Sequence, residues 1–298
     1  MPLTPFDRDN LSPRGATAGG IGLAPPDLVT ASSGLLMQSI LPTSSGPAVF
    51  STRRSGRIPH RSLATYPCVL AWLATRPSFC VVQIGANSGD TPEDPLYRFL
   101  RDELRDLTPE RRDRTQVVLV EPVREYFDRL QEAYAGLPCV RFENVAIAET
   151  RGSREFYRLD ADPAAHGYPA WLAGLGSLRA DRMTSLWERY ERKHGGPTYE
   201  EMRRFYEEHR VIESVRCITI QDLVERHGIE DIDLLQIDAE GYDHRILQTI
   251  DFDRLRPSFI NYERVLLQDD EAACRRLMTE AGYALSDWGQ DTLCVRLR

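Results

Sequence analysis

Phe79-Cys80-Val81-Val82-Gln83-Ile84-Gly85-Ala86-Asn87-Ser88-Gly89-Asp90 runs from a continuous apolar segment into a glycine-bearing turn. An apolar run without alternation is what a strand buried on both faces of a parallel sheet requires. Glycines at its carboxyl end permit torsions and close approaches that a Cβ would block, which suits a ligand lying over the sheet's edge. The pattern returns along the chain. Residues 116–120 close on Glu121-Pro122 and lead into an amphipathic helix through Tyr126, Leu130 and Tyr134. Residues 140–148 read as a third strand. Asp233-Leu234-Leu235-Gln236-Ile237-Asp238 is a fourth, followed by Ala239-Glu240-Gly241 and a helix carrying Ile246, Leu247 and Ile250; 258–263 is a fifth. A helix over 271–281 precedes Tyr283-Ala284-Leu285, a turn at Trp288-Gly289-Gln290 and a run over 292–297. That last connection is too short for a crossover helix, so its strands pair antiparallel. The pattern predicts a Rossmann-like, doubly wound α/β sheet, mostly parallel, with one antiparallel hairpin at its C-terminal edge.

The chain has 298 residues, 37 basic against 45 acidic for a net charge of −8, and is 42% hydrophobic, enough to bury a sizeable core. No apolar run approaches the ~20 residues needed to span a bilayer. The acidic balance argues against nucleic-acid binding, which needs clustered Lys and Arg. Charge is unevenly spread. Residues 1–62 hold six Arg, three Asp and no Glu, leaving about −11 for 63–298, and 29 of the 62 are Gly, Pro, Ser or Thr. Such a segment buries too little apolar surface to offset its ordering entropy, so 1–62 is expected to be an irregular extension of a domain over 63–298. No basic start followed by an apolar core opens the chain, and no secretory signal is expected. The six cysteines form no C-x-x-C pair, which fits a reducing cytoplasm rather than a metal or disulfide framework.

Residues 160–212 interrupt the alternation with Gly167-Tyr168-Pro169-Ala170-Trp171 and two polar helices. The second opens on Thr198-Tyr199-Glu200-Glu201, a capping-box pattern, and aligns Met202, Phe205, Tyr206 and His209 on one face. An insertion of ~50 residues is too long for a connection and reads as a lid or substrate-binding element. Tyr168, Trp171 and Gly174-Leu175-Gly176-Ser177-Leu178 are its candidate acceptor contacts.

Glu121, ending the second strand, is placed to accept both hydroxyls of a ribose, although a surface acid would look the same in sequence. A dinucleotide needs the G-x-G-x-x-G turn for its pyrophosphate. Here Asn87 occupies the second glycine position, and Glu121 lies 32 residues past Gly89 instead of ~20. A nucleoside cofactor without phosphates fits better, and S-adenosylmethionine is the common one. A nicotinamide-dependent oxidoreductase and a non-catalytic cofactor-binding module are the alternatives.

Val82-Gln83-Ile84-Gly85-Ala86-Asn87-Ser88-Gly89-Asp90, Val120-Glu121-Pro122, Asn144-Val145-Ala146-Ile147, Thr219-Ile220-Gln221-Asp222-Leu223 and Leu235-Gln236-Ile237-Asp238-Ala239-Glu240-Gly241-Tyr242-Asp243 together resemble the FkbM-type S-adenosylmethionine-dependent methyltransferases. The resemblance implies a class I methyltransferase sheet and methyl transfer to a hydroxyl of a small molecule, a natural product or sugar. It implies a cofactor site of Gln83, Gly85, Ala86, Asn87, Gly89, Asp90, Glu121, Pro122 and Asp238, with Asn144 and Ala146 flanking the adenine. Gln83 stands where many relatives have an acid for the cofactor's methionine end, which shifts that contact to Asp90 or backbone groups. An alcohol is a poor nucleophile until its proton leaves, so a general base is expected. Asp238 is the first candidate, followed by Glu240 at a helix start and His244 one turn into that helix. Asp238, Glu240 and Asp243 also present three carboxylates to a divalent cation, but close carboxylates alone do not establish a metal site and none is predicted. The expected partner is a small-molecule acceptor, with no nucleic acid and no membrane.

Overall fold

The computed structural model describes residues 65–90, 94–180 and 199–297. The expected extension over 1–62, the first of the two polar helices and Thr198 with its capping box lie outside the described residues, as does the side chain of Trp171.

In chain order the described strands are β1 (Cys80–Ile84), β2 (Gln116–Val120), β3 (Val140–Glu143), β4 (Ala146–Ile147), β5 (Gly152–Leu159), β6 (Gly176–Ser177), β7 (Arg210–Ile218), β8 (Leu234–Ile237), β9 (Phe259–Glu263), β10 (Tyr283–Trp288) and β11 (Asp291–Arg296). The helices are α1 (Tyr66–Thr75), α2 (Pro95–Arg105), α3 (Pro109–Arg112), α4 (Arg124–Ala133), α5 (Tyr199–His209), α6 (Ile220–His227), α7 (Asp243–Gln248) and α8 (Glu271–Glu280). Seven strands form one sheet in the order β10-β11-β9-β8-β1-β2-β3. Pairing is parallel from β9 to β3, and β11 inserts antiparallel between β9 and β10. This is the doubly wound sheet with a C-terminal antiparallel hairpin that the sequence predicts.

Both faces of the parallel strands are covered, which is why β1, β2 and β8 read as unbroken apolar runs. Val81, Val117, Leu119 and Leu234 pack with α1, α2 and Leu130 of α4 on one side. Val82, Ile84, Val118, Val120, Leu235 and Ile237 pack with α6, α7 and α8 on the other. The chain runs outward from β1 to β3 and returns beside β1 as β8, placing the topological switch between β1 and β8, where open α/β sheets bind ligands.

Two readings are corrected. The single strand over 140–148 is split: β3 belongs to the large sheet, whereas β4 pairs with β7 in a second sheet. The break falls at Asn144, whose Nδ2 donates to Glu121 O (2.9 Å) and Pro122 O (3.0 Å) and turns the chain away from the sheet edge. The segment over 160–212 is more than a helical lid. It emerges from the antiparallel pair β5–β7, which with β4 and β6 forms a four-stranded sheet. β5 has no apolar pattern in the sequence because Arg154, Glu155 and Arg158 fill a strand largely open to solvent, with Phe156 and Leu159 as its buried residues.

Gly85 joins the two halves of the large sheet. At φ +81° it lies in the left-handed region, and a Cβ there would stand 1.8 Å from the backbone oxygen of Asp238. Gly85 N and Ala86 N both donate to Val120 O at 3.0 Å, and Asp238 N donates to Ile84 O at 2.9 Å. The turn after β1 is thereby knitted to the tips of β2 and β8. Gly85→Ala should destabilise the fold by more than about 2 kcal/mol in urea unfolding, because the torsional penalty of a left-handed Ala adds to a backbone collision. A loss below about 0.5 kcal/mol would contradict this account.

Candidate functional site

A cleft enclosing about 650 Å³, part of it open to solvent, lies over the carboxyl ends of β1, β2 and β8. This is within the range of small-molecule sites. Ile84, Gly85 and Asn87 line it from β1 and its turn, Glu121 and Pro122 from the tip of β2, and Asp238, Ala239 and Glu240 from the tip of β8. Val145, Ala146, Ile147, Phe156, Leu178 and Ile246 supply an apolar wall. Tyr242 completes that wall with its hydroxyl fixed: it donates to Glu149 Oε2 and accepts from Arg154 Nη1, both at 2.6 Å.

Glu121 is 5% exposed. Its Oε2 accepts from Asn87 N (2.9 Å) and its Oε1 from Val123 N (2.8 Å). Burial pushes the carboxyl up to about 7 against the pull of those amides, with the charges of Asp238 and Glu213 adding to the rise. Each oxygen retains a lone pair, so the group suits a diol that donates two hydrogen bonds. Asp238, by contrast, is exposed at the mouth of the cleft. Glu240 follows at φ 55°, a strained torsion for a non-glycine residue and of a kind that collects at functional sites.

Carboxylate oxygens of Asp238, Glu240 and Glu263 lie within 4.8 Å of one another, a spacing one cation would bridge. All three already have interaction partners. Asp243, named in the sequence as the third carboxylate, is fully buried instead. Its Oδ2 accepts from Ala239 N (3.3 Å) and its Oδ1 from Glu263 N (3.1 Å), tying the tips of β8 and β9 together, and burial drives its carboxyl well above the usual range.

Of the residues expected to hold the cofactor, Gly85, Asn87, Glu121, Pro122, Ala146 and Asp238 line the cleft. Ala86, Gly89, Asp90, Asn144 and Gln83 do not. Ala86 sits in the core on the opposite face. Gly89 makes room for α4, since a Cβ there would stand 2.4 Å from Leu130 Cδ1. Asp90 turns to solvent, bonded to Ser88 Oγ (2.5 Å) and to Arg129 (3.4 Å). Asn144 braces the backbone as described above. Gln83 is 8% exposed and hydrogen-bonds Asp94 on the far face of the sheet. His244 also lies outside the lining. It is 5% exposed, its Nδ1 is 3.7 Å from Asp270 Oδ1, and burial lowers its basicity.

The insertion does reach the cleft, through Gly174, Gly176 and Leu178. Tyr126 Oη donates to Ala173 O at 2.6 Å, and a Cβ on Gly174 would stand 3.3 Å from Asn87 Nδ2. Tyr168 stacks on Phe205 at 4.4 Å and is not part of the lining. Phe156, Tyr242 and Ile246 were not singled out from sequence. The one signal for Phe156 is the aromatic pair Phe156-Tyr157 in a polar run.

The Methyltransferase FkbM domain family matches residues 83–285. No curated protein sequence matches the chain. Among solved structures, the chain is similar to methyltransferase FkbM from Methylobacillus flagellatus, at 11% identity and a TM-score of 0.40, covering 74% of this chain and 44% of that one. It is also similar to the Methanococcus jannaschii fibrillarin pre-rRNA processing protein, at 10% identity and a TM-score of 0.34, covering 74% of this chain and 66% of that one. The Aeropyrum pernix fibrillarin, solved with natively bound S-adenosyl-L-methionine, is similar at 10% identity and a TM-score of 0.33, covering 74% of this chain and 66% of that one. The chain thus spans less than two thirds of the length of these three structures.

The raised carboxyl of Glu121 sets a pH dependence. An unfolded Glu titrates near 4.5 and this one near 7. The folded state therefore holds the extra proton between those values, and this group's contribution to stability falls as pH rises through that window. Binding of a ribose diol needs the ionised form. Affinity for S-adenosylmethionine should strengthen from pH 6 to pH 8 by calorimetry, and Glu121→Ala should lose about 1–3 kcal/mol of it together with that dependence. Unchanged affinity in the variant would remove Glu121 from the site.

Proposed function

The chain belongs to the FkbM methyltransferase family, and from that premise we propose that it transfers a methyl group from S-adenosylmethionine to a hydroxyl oxygen of a small-molecule acceptor. The observation that carries this reading is one cleft with a buried, amide-held carboxylate at the tip of β2 and an exposed carboxylate at the tip of β8. The first suits a ribose and the second an acceptor. Family membership favours S-adenosylmethionine over a nicotinamide dinucleotide.

When bound, S-adenosylmethionine supplies an activated methyl on a sulfonium. The chain's own residues bind, orient and take up a proton. Glu121 offers its carboxylate to the ribose hydroxyls, and the apolar wall around Val145, Ile147 and Phe156 suits a purine. Holding two reactants in line supplies several kcal/mol of the barrier reduction by itself. Asp238, exposed at the cleft mouth, accepts the acceptor's hydroxyl proton as general base, with Glu240 beside it. A carboxylate in this role fits an alcohol, which must lose its proton before it can attack. Gly174, Gly176 and Leu178 bring the insertion over the same cleft and make it the source of acceptor selectivity.

The setting proposed is the cytoplasm. All six cysteines are free, and among the described residues no helix is long and apolar enough to cross a membrane. The partner proposed is a small acceptor, without nucleic acid.

Asp238→Asn should slow methyl transfer at least about a hundredfold, the usual contribution of general-base catalysis, while S-adenosylmethionine affinity stays within about twofold. Full activity in that variant would end its assignment as base. A screen of hydroxyl-bearing metabolites with methyl-labelled cofactor, with and without chelator, identifies the acceptor. Labelling of an amine or a carboxylate alone would overturn the O-methyl reading, and binding without turnover on any acceptor would favour a non-catalytic module.

A further inference from the structure

On the sheet face opposite the cleft, three neighbouring strands carry an amide side chain in a single row. Gln83, Gln236 and Asn261 are register partners across β1, β8 and β9. A carboxyl closes the row at each end. Asp94, capping α2, takes a hydrogen bond from Gln83, and Asp291, at the start of β11, accepts from Asn261 Nδ2 at 2.6 Å. The Tyr66 hydroxyl, from α1, feels the charge of both carboxyls.

Asn261 is 1% exposed. Its amide nitrogen uses both protons, on Asp291 Oδ2 and on Gln236 Oε1 at 3.1 Å, and its Oδ1 meets no donor. A buried acceptor beside a carboxyl calls for a group rich in N–H. The cation in reach, Arg264, is engaged elsewhere, on Gly289 O at 3.1 Å and 3.9 Å from Asp287. Burial and the charges of Asp238 and Asp94 hold the Asp291 carboxyl up at about 7, so a positive ligand there would relieve three mutually repelling acids.

The Asp291 end of this row reaches the cleft mouth: Asp291 is the register partner of Glu263, whose carboxylate lies within 4.8 Å of those of Asp238 and Glu240, and the charge of Asp238 raises both Glu121 and Asp291. S-adenosylmethionine has a nucleoside at one end and a primary ammonium at the other. We propose that Asp291, with Asn261 Oδ1, binds the α-ammonium of the cofactor's methionine end, across the tip of β8 from Glu121, while Asp94 adds negative charge from the other end of the row. The inference rests on the cofactor reading above. It provides negative charge for that ammonium in a protein whose β1 residue, Gln83, is neutral.

The test compares two nucleosides by calorimetry: S-adenosylhomocysteine, which has the amino-acid end, and 5′-methylthioadenosine, which lacks it. Asp291→Asn keeps an acceptor for Asn261 Nδ2 and removes the charge. It should weaken S-adenosylhomocysteine about tenfold or more and leave 5′-methylthioadenosine within about twofold. Glu121→Ala should weaken both. Unchanged binding of S-adenosylhomocysteine to Asp291→Asn overturns the proposal and leaves the seat to an amine on the acceptor. An equal loss for both nucleosides also overturns it, as a structural effect. If the wild-type protein binds neither nucleoside, the cofactor reading falls and this inference with it. Should Asp291→Asn fail to fold, Asp94→Asn, which retains a good helix cap, is read by the same comparison.

Discussion

Everything at the site depends on a missing side chain at Gly85. The chain leaves β1 against the backbone carbonyl of Asp238, in a space no Cβ fits and at a torsion other residues avoid. Because it can do so, the turn that follows lies over the switch between β1 and β8 and is held there by paired amides on Val120 O. Asn87 then presents its own amide to Glu121. Three separate strand tips are brought to one cleft by a single close backbone approach.

Around that cleft, acids of similar intrinsic strength meet different surroundings. Glu121 is buried and held by two amides, which fix its carboxylate in the cleft. Asp238 is exposed at the cleft mouth. Asp243 is fully buried and spends both oxygens on backbone amides of the β8 and β9 ends, so it shapes the site without facing it. Taking such a group out of water is costly unless its hydrogen bonds are made, and Asp243 and Glu121 both satisfy that condition.

The second sheet gives the insertion its foundation. β5 pairs with β7 along its whole length, and the segment between them returns to the cleft through Gly174, Gly176 and Leu178, pinned by Tyr126 on Ala173. Ile147, Phe156 and Gly176, which line the cleft, therefore stand on strands of one sheet.

The order and type of the large-sheet strands were legible in the sequence, since strands covered on both faces must be apolar throughout and the glycine turn marks their carboxyl end. Glu121 and Asp238 were legible for the same reason: each directly follows such a strand. The register of neighbouring residues was not. Gly89, Asp90 and Gln83 belong to the same motif as Gly85 and Asn87, yet they turn toward α4, toward solvent and toward the far face, because successive residues of a strand and a tight turn point in different directions. His244 is likewise only six residues from Asp238 in sequence and buried beside Asp270 in space. The polar strands of the second sheet, and the row of Gln83, Gln236 and Asn261 closed by Asp94 and Asp291, were decided by tertiary structure alone. Their partners lie tens to hundreds of residues apart along the chain, and no local pattern encodes which distant side chains a sheet will set side by side.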